Sequence, residues 1–155
     1  MDDRPSPVDS TIQPHACWSL LRQAVVGRLA VSVADRPEIF PINFVVDHGT
    51  IVFRTAKGTK LAGAVTQPQV AFEADGLTPE TGEAWSVVIK GRAELIRAVE
   101  DLIDSAGLPL YPWHDADKNS FVRITPDEVT GRLFRIVDQS RWISVIGSAR
   151  HSAPE

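Results

Sequence analysis

The spacing of its turn residues is what most limits how this chain can fold. From Arg28 onward, short runs rich in Val, Ile and Phe are separated by clusters of Gly, Pro, Asp and Thr, and helical patterns do not alternate regularly with them. A doubly wound parallel sheet needs that alternation, so it is excluded. Many short strands joined by turns predict a mainly β protein, an antiparallel barrel with a few short helices covering its ends.

The individual elements follow from period and punctuation. Cys17, Leu20, Leu21, Ala24 and Val25 recur at helical spacing after Pro14, and Gly27 stands where that helix would stop. Strands are predicted over 28–33 and 38–46 around a turn at Ala34-Asp35-Arg36-Pro37, and over 50–55 after Asp47-His48-Gly49, whose Gly supplies the positive φ of a tight hairpin. Thr59 caps a short helix that Pro68 ends. Further strands are expected over 69–75, 84–96, 121–124 and 129–137, with Gly91 as a bulge or bend, Thr125-Pro126-Asp127 as the last turn, and a helix over 97–106. Pro41 removes one ladder donor inside its strand, which puts that stretch on an edge, at a bulge, or where something other than a strand approaches the backbone.

Composition narrows the class. The chain has 155 residues, enough for one domain that holds a core without disulfides or structural metal. Residues 1–13 and 148–155 lack periodicity and read as flexible tails around a single domain at 14–147. With 16 Lys and Arg against 20 Asp and Glu, the surface is net acidic, which argues against general nucleic-acid binding. No apolar run exceeds three residues, whereas a membrane helix needs roughly 20 mostly apolar positions, so no membrane partner is expected. The opening Met-Asp-Asp-Arg-Pro-Ser-Pro has neither a basic nor an apolar leader segment, and a cytoplasmic location is the expectation.

The densest polar constellation is Arg54-Thr55-Ala56-Lys57-Gly58-Thr59-Lys60, between a strand end and a helix start. Charged side chains, hydroxyl donors, a Gly that admits close approach and a helix N-terminus are the parts of a phosphate site, although a solvated turn with three basic residues has the same composition. No Walker-type loop, Ser nucleophile motif or metal-ligand spacing is present. His15, His48, His114 and His151 are scattered, and Cys17 reads as a buried small hydrophobe. Tyr111 or His114 could ligate a haem iron, or their loop could simply pack on the barrel. Trp85-Ser86 precedes an apolar strand core, and Trp85 suits either that core or a ligand wall.

Taken in order, the first helix, Gly-Arg-Leu-Ala-Val, Phe40-Pro41-Ile42-Asn43-Phe44, Asp47-His48-Gly49, Phe53 to Lys60 and Trp85 to Gly91 resemble the pyridoxamine-phosphate oxidase-like flavoproteins, in their small nitroimidazole-reductase-like branch. The resemblance spans roughly residues 15 to 137. It implies a split β-barrel, a homodimer, and a flavin-type cofactor in each of two grooves between subunits. By that resemblance Arg54, Thr55, Thr59 and Lys60 hold the cofactor phosphate, Lys57 and Gly58 shape the turn, Pro41, Ile42 and Asn43 present backbone to the ring edge, and Ser86 with Trp85 lies against the ring system.

FMN is the first expectation, with FAD, a deazaflavin coenzyme or haem as alternatives. The implied activity is hydride or electron transfer to a small molecule, and the competing reading is a non-catalytic flavin- or haem-binding protein for storage, sensing or protection. Ser140-Arg141-Trp142-Ile143-Ser144 does not reproduce the Arg- and His-containing segment with which true pyridoxamine-phosphate oxidases hold the vitamin, so vitamin B6 oxidation is not expected.

Overall fold

In a computed structural model, residues 10–56, 59–66, 69–96 and 119–136 are described. They form strands β1 (Ser10–Ile12), β2 (Val26–Val33), β3 (Arg36–Asp47), β4 (Thr50–Ala56), β5 (Gln69–Thr78), β6 (Glu83–Leu95) and β7 (Asn119–Arg135), with helices α1 (Pro14–Gln23) and α2 (Lys60–Ala64). All pairings are antiparallel, in the order β1-β7-β4-β3-β2-β5-β6, and β7 also pairs with β6. That last pairing closes β2 to β7 into a ring, with β1 added outside on β7. The expected antiparallel split barrel is the fold observed.

Alternation fills the barrel. Leu29, Val31, Ile42, Phe44, Phe53, Phe72, Val87, Ile89, Val122 and Ile124 are buried and form one cluster, in which the Phe44 and Phe72 rings meet edge to face at 4.8 Å. Helix α1 seals one end with Cys17 and Leu21, both fully buried. The expected burial of Cys17 holds, and desolvation raises its thiol pKa.

Two hairpins set the register of β2, β3 and β4. Ala34 and Asp35 both have positive φ and form a two-residue turn closed by Val33 and Arg36, as His48 and Gly49 do between Asp47 and Thr50. The first turn is therefore shorter than the sequence suggests, and Arg36 and Pro37 already belong to β3.

Three further expectations change. The tail assigned to residues 1–13 contains β1, which pairs with β7 through Ser10↔Leu133, Thr11↔Arg132 and Ile12↔Gly131. A Cβ on Gly131 would stand 2.5 Å from Cys17 Sγ and 3.0 Å from Ile12 Cβ, so the missing side chain is what lets β1 and α1 dock there. The two last strands are one, β7, because Thr125-Pro126-Asp127 is absorbed by a bulge rather than a turn. Lys90 pairs with Glu128 while Gly91 pairs with Pro126, leaving Asp127 as the extra residue. The bulge at Gly91 was expected, and its cause is close approach: a Cβ there would meet Thr125 O at 2.2 Å. Strand β5 runs on to Thr78, beyond the expected end at Asp75. The helix expected over 97–106, the loop with Tyr111 and His114, Lys57 and Gly58, and the segment 148–155 lie outside the described residues.

Candidate functional site

The ring is not laced evenly. Strand β3 pairs with β2 along Arg36–Asn43, but its ladder with β4 covers only Phe44–Asp47. Beyond that point β4 keeps β7 as its partner while β3 keeps β2, and the two strands part. This is the split in the barrel.

The parity of hydrogen bonding decides what the split exposes. Phe44 N–H donates to Val25 O at 3.3 Å, so even-numbered residues of β3 direct their peptide groups to β2 and odd-numbered ones direct theirs to the other side. Pro37, Ile39 and Pro41 therefore turn their backbone to the gap. Two of these three are prolines without an N–H, so this wall of the gap offers three carbonyl acceptors and one donor. The edge position expected for Pro41 is observed, and Pro37 repeats it.

The expected phosphate residues gather at the end of the same gap. Thr55 is the penultimate residue of β4 and the buried polar residue of the described core, with 4% of its surface exposed. Its Oγ1 lies 3.4 Å from Thr59 Oγ1. Thr59 caps α2: it accepts from Ala62 N–H at 3.1 Å and donates to Ala56 O at 2.7 Å. Its one hydroxyl proton is committed to Ala56, so the Thr59 side chain shapes the turn and leaves Thr55 as the hydroxyl that can be aimed at a ligand. Helix α2 is a single turn of five residues, too short for the macrodipole the sequence suggested to contribute much, and charge must come from side chains. Lys60 supplies it. Its Nζ reaches across the split to Glu38 Oε1 on β3 at 3.0 Å. Arg54 stands on β4 one residue past the last β3 rung and is half-buried.

Trp85 and Ser86 do not join this corner within one chain. Going round the ring from β3, β6 is reached only after two intervening strands in either direction. Trp85 folds over Gly76, where a Cβ would stand 2.3 Å from its Nε1, and packs on the core cluster. Ser86 donates to Glu73 Oε1 at 3.1 Å. Glu73 Oε2 in turn accepts from Arg28 Nη1 at 3.1 Å, and the same nitrogen donates to Asp75 Oδ2 at 3.3 Å. Partial burial, reinforced by the neighbouring Asp75 carboxylate, raises the Glu73 pKa against the opposing pull of Ser86 and Arg28. Ile42 points its side chain into the core and its backbone to β2, so of the expected ring-edge triplet Pro41 and, by the same parity, Asn43 turn their backbone to the gap, with Asn43 exposed at its inner end.

Sequence reasoning missed Glu38. Its signal was parity: it falls in step with Phe40, Ile42 and Phe44, the inward positions of β3, where an acidic side chain is out of place unless it has a partner. It also missed the Asp47 and Arg123 pair at the far end of β3. Arg123 Nη1 donates to Asp47 Oδ2 and to Thr50 Oγ1, each at 2.7 Å, and His48 Nδ1 lies 2.8 Å from Asp47 Oδ1. The Arg123 guanidinium holds the Asp47 pKa below its usual value.

The strand-split barrel thus carries a hydroxyl- and lysine-bearing corner at its split, and comparison with known proteins shows the family to which it belongs. The Pyridoxamine 5'-phosphate oxidase family model matches residues 13–133, and the chain belongs to that family. Protein Rv0080 of Mycobacterium tuberculosis is 35% identical over 127 residues, covering 79% of this chain and 82% of its own length. The FAD binding protein of Mycobacterium smegmatis superposes with a TM-score of 0.74 at 40% identity, over 81% of this chain and all of that one (100%). A candidate 5-nitroimidazole antibiotic resistance protein of Bacteroides thetaiotaomicron shares the fold at TM-score 0.62 and 14% identity, over 86% of this chain and 95% of that one. Among the described residues no helix is long and apolar enough to cross a membrane, and no cluster of His, Cys, Asp and Glu could hold a metal ion.

Proposed function

We propose that this chain is a flavin- or deazaflavin-dependent oxidoreductase, acting as a homodimer on a small planar molecule. The observation that carries this reading is the split between β3 and β4, with an acceptor-rich backbone wall at Pro37, Ile39 and Pro41 and the Thr55, Thr59 and Lys60 corner at its end. The donor set fits the cofactor. The pyrimidine edge of a flavin carries an amide-type N–H that needs a carbonyl, and its phosphate needs a hydroxyl and a cation. The 40% identity to an FAD binding protein supports a flavin in particular. When bound, the flavin supplies the hydride or electron transfer itself.

The chain's own residues bind and orient. Lys60, Thr55 and Arg54 hold the phosphate, and the β3 wall fixes the ring. Trp85 and Ser86 take part through a second copy, because one chain keeps them on the far side of the barrel from Pro41. Val25 just before β2, Val26 on β2 and Ile39 on β3 are 71%, 47% and 66% exposed, apolar surface suited to that second copy. Vitamin B6 is not the proposed substrate.

The test is mass spectrometry of the ligand released from freshly purified protein, followed by titration with FMN, FAD and a deazaflavin. Replacing Arg54 and Lys60 together by Ala should weaken binding at least a hundredfold, since each charge-assisted contact is worth about 1.5–3 kcal/mol. Unchanged affinity in that variant refutes the site, and a monomer in sedimentation that binds flavin fully refutes the shared groove. If reduced cofactor passes electrons to no acceptor faster with protein than without it, the storage or sensing reading replaces the enzyme.

A further inference from the structure

An ion pair between Glu38 and Lys60 spans the split at the corner assigned to the flavin phosphate. This step rests on the flavin reading above. Lys60 Nζ is 3.0 Å from Glu38 Oε1 on the opposite wall of the split, and the Glu38 side chain is 32% exposed against 69% for Lys60. A phosphate oxygen bonded to the same ammonium would sit roughly 5 Å from the Glu38 carboxylate, from ordinary N–H···O lengths and a tetrahedral angle at nitrogen. Any phosphate held by Lys60 is therefore held beside a fixed negative charge.

The two flavins bring different charges to that place. A terminal phosphate monoester, as in FMN, carries about −1.5 to −2 at neutral pH. Each phosphate of the FAD diphosphate is esterified on both sides and carries a single negative charge. Attraction by Lys60 and Arg54 and repulsion by Glu38 all scale with the charge brought, so the part that Glu38 takes away is larger for FMN, while the hydroxyl of Thr55 serves either phosphate alike. We infer that Glu38 is a specificity-determining residue, whose charge offsets part of the pull of Lys60 and Arg54 and offsets more of it for a terminal phosphate monoester than for a bridging phosphate, shifting the balance from FMN toward FAD.

The extra charge of FMN at roughly 5 Å would cost far more than tenfold in affinity in a dry site, but Lys60 is well exposed and solvent screens it, so Glu38 should shift the balance between the two flavins by about threefold. The adenine half of FAD adds contacts of its own, so the absolute preference is not diagnostic. What matters is how the two affinities respond to one substitution.

The experiment measures dissociation constants for FAD, FMN and riboflavin by fluorescence quenching, with wild-type protein, Glu38→Gln and Lys60→Ala. Glu38→Gln keeps the side-chain shape and removes the charge. It should tighten FMN about tenfold and FAD no more than about threefold, and leave riboflavin, which has no phosphate, unchanged. Raising salt from about 0.05 to 0.5 M should shrink the difference between wild type and Glu38→Gln, and shrink it more for FMN than for FAD, because screening weakens the Glu38 repulsion. Unchanged riboflavin binding in the variant reports that its fold is intact. Equal tightening of both flavins, or weakening of both, overturns the inference and makes Glu38 a mere anchor for Lys60. The flavin reading then still stands if Lys60→Ala weakens FAD and FMN but not riboflavin. If Lys60→Ala changes neither, or wild-type protein binds no flavin, that reading falls and takes the inference with it.

Discussion

Thr55→Val separates binding from stability at the corner of the split, because Val matches Thr in shape and lacks only the hydroxyl. In the folded chain that hydroxyl has one partner among the described hydrogen bonds, Thr59 Oγ1, at 3.4 Å, near the long limit for two oxygens. Such a bond adds little, and Thr59 keeps its stronger bonds to Ala56 O and Ala62 N–H without it. Because Thr55 is only 4% exposed, a methyl in place of the hydroxyl is also favoured by burial. The two effects nearly cancel, and unfolding stability should stay within about 1 kcal/mol of wild type. Binding should behave differently. A hydroxyl donating to a phosphate oxygen makes a charge-assisted bond worth about 1.5–3 kcal/mol, so the flavin dissociation constant should rise by about ten- to a hundredfold. Urea unfolding gives the first quantity and fluorescence titration the second. A variant that loses stability yet binds flavin as well as wild type would show that Thr55 serves only the fold.

Gly91→Ala should destabilise by about 2–4 kcal/mol, since its Cβ would press on Thr125 O and the Pro126 backbone and push β6 from β7 at the bulge, whereas Gly63→Ala in α2 meets nothing within 4 Å and should be neutral or stabilising. Thermal melting at one fixed protein concentration checks both, and equal midpoints refute the close-approach argument. Two carboxylates should give opposite pH dependence. Arg123 depresses the pKa of Asp47, so its contribution is present above the unfolded value of about 4 and is lost as pH falls through the folded one. Asp47→Asn should therefore cost more stability at about pH 7 than at about pH 3. Burial and Asp75 raise the pKa of Glu73, so its contribution is present below the unfolded value of about 4.3 and is lost as pH rises through the folded one. Glu73→Gln should cost less at about pH 7 than at about pH 4, measured by urea unfolding across pH.

Local chemistry made much of this legible. The Gly49 hairpin, the Thr59 cap, the bulge at Gly91 and the edge position of Pro41 each rest on a property of one residue, and each is found where expected. What sequence reading missed depends on partners distant along the chain. Three residues at Ser10–Ile12 carry too little pattern to announce a strand, and their docking site at Gly131 lies far along the chain. Pro126 looked like a turn because a proline usually ends a strand; here an extra residue on β7 accommodates it. The resemblance assigns Thr59 to the phosphate, and only the turn geometry reveals that its hydroxyl proton also bonds Ala56 O. The resemblance assigns Trp85 and Ser86 to the ring system, and no pattern along the chain shows that β6 stands across the ring from β3.

An unlaced strand margin is hazardous, because any extended peptide can zip onto it and start an aggregate. On β3 the margin at 37–41 is protected by subtraction. A foreign strand laid there would find two of three amide protons deleted by Pro37 and Pro41, and it could never complete a ladder. A compact ring asks for only one or two bonds and is not turned away. The same two prolines thus keep the cleft accessible to small molecules while denying it to polypeptide, and converting both to residues with an N–H should make the protein prone to self-association.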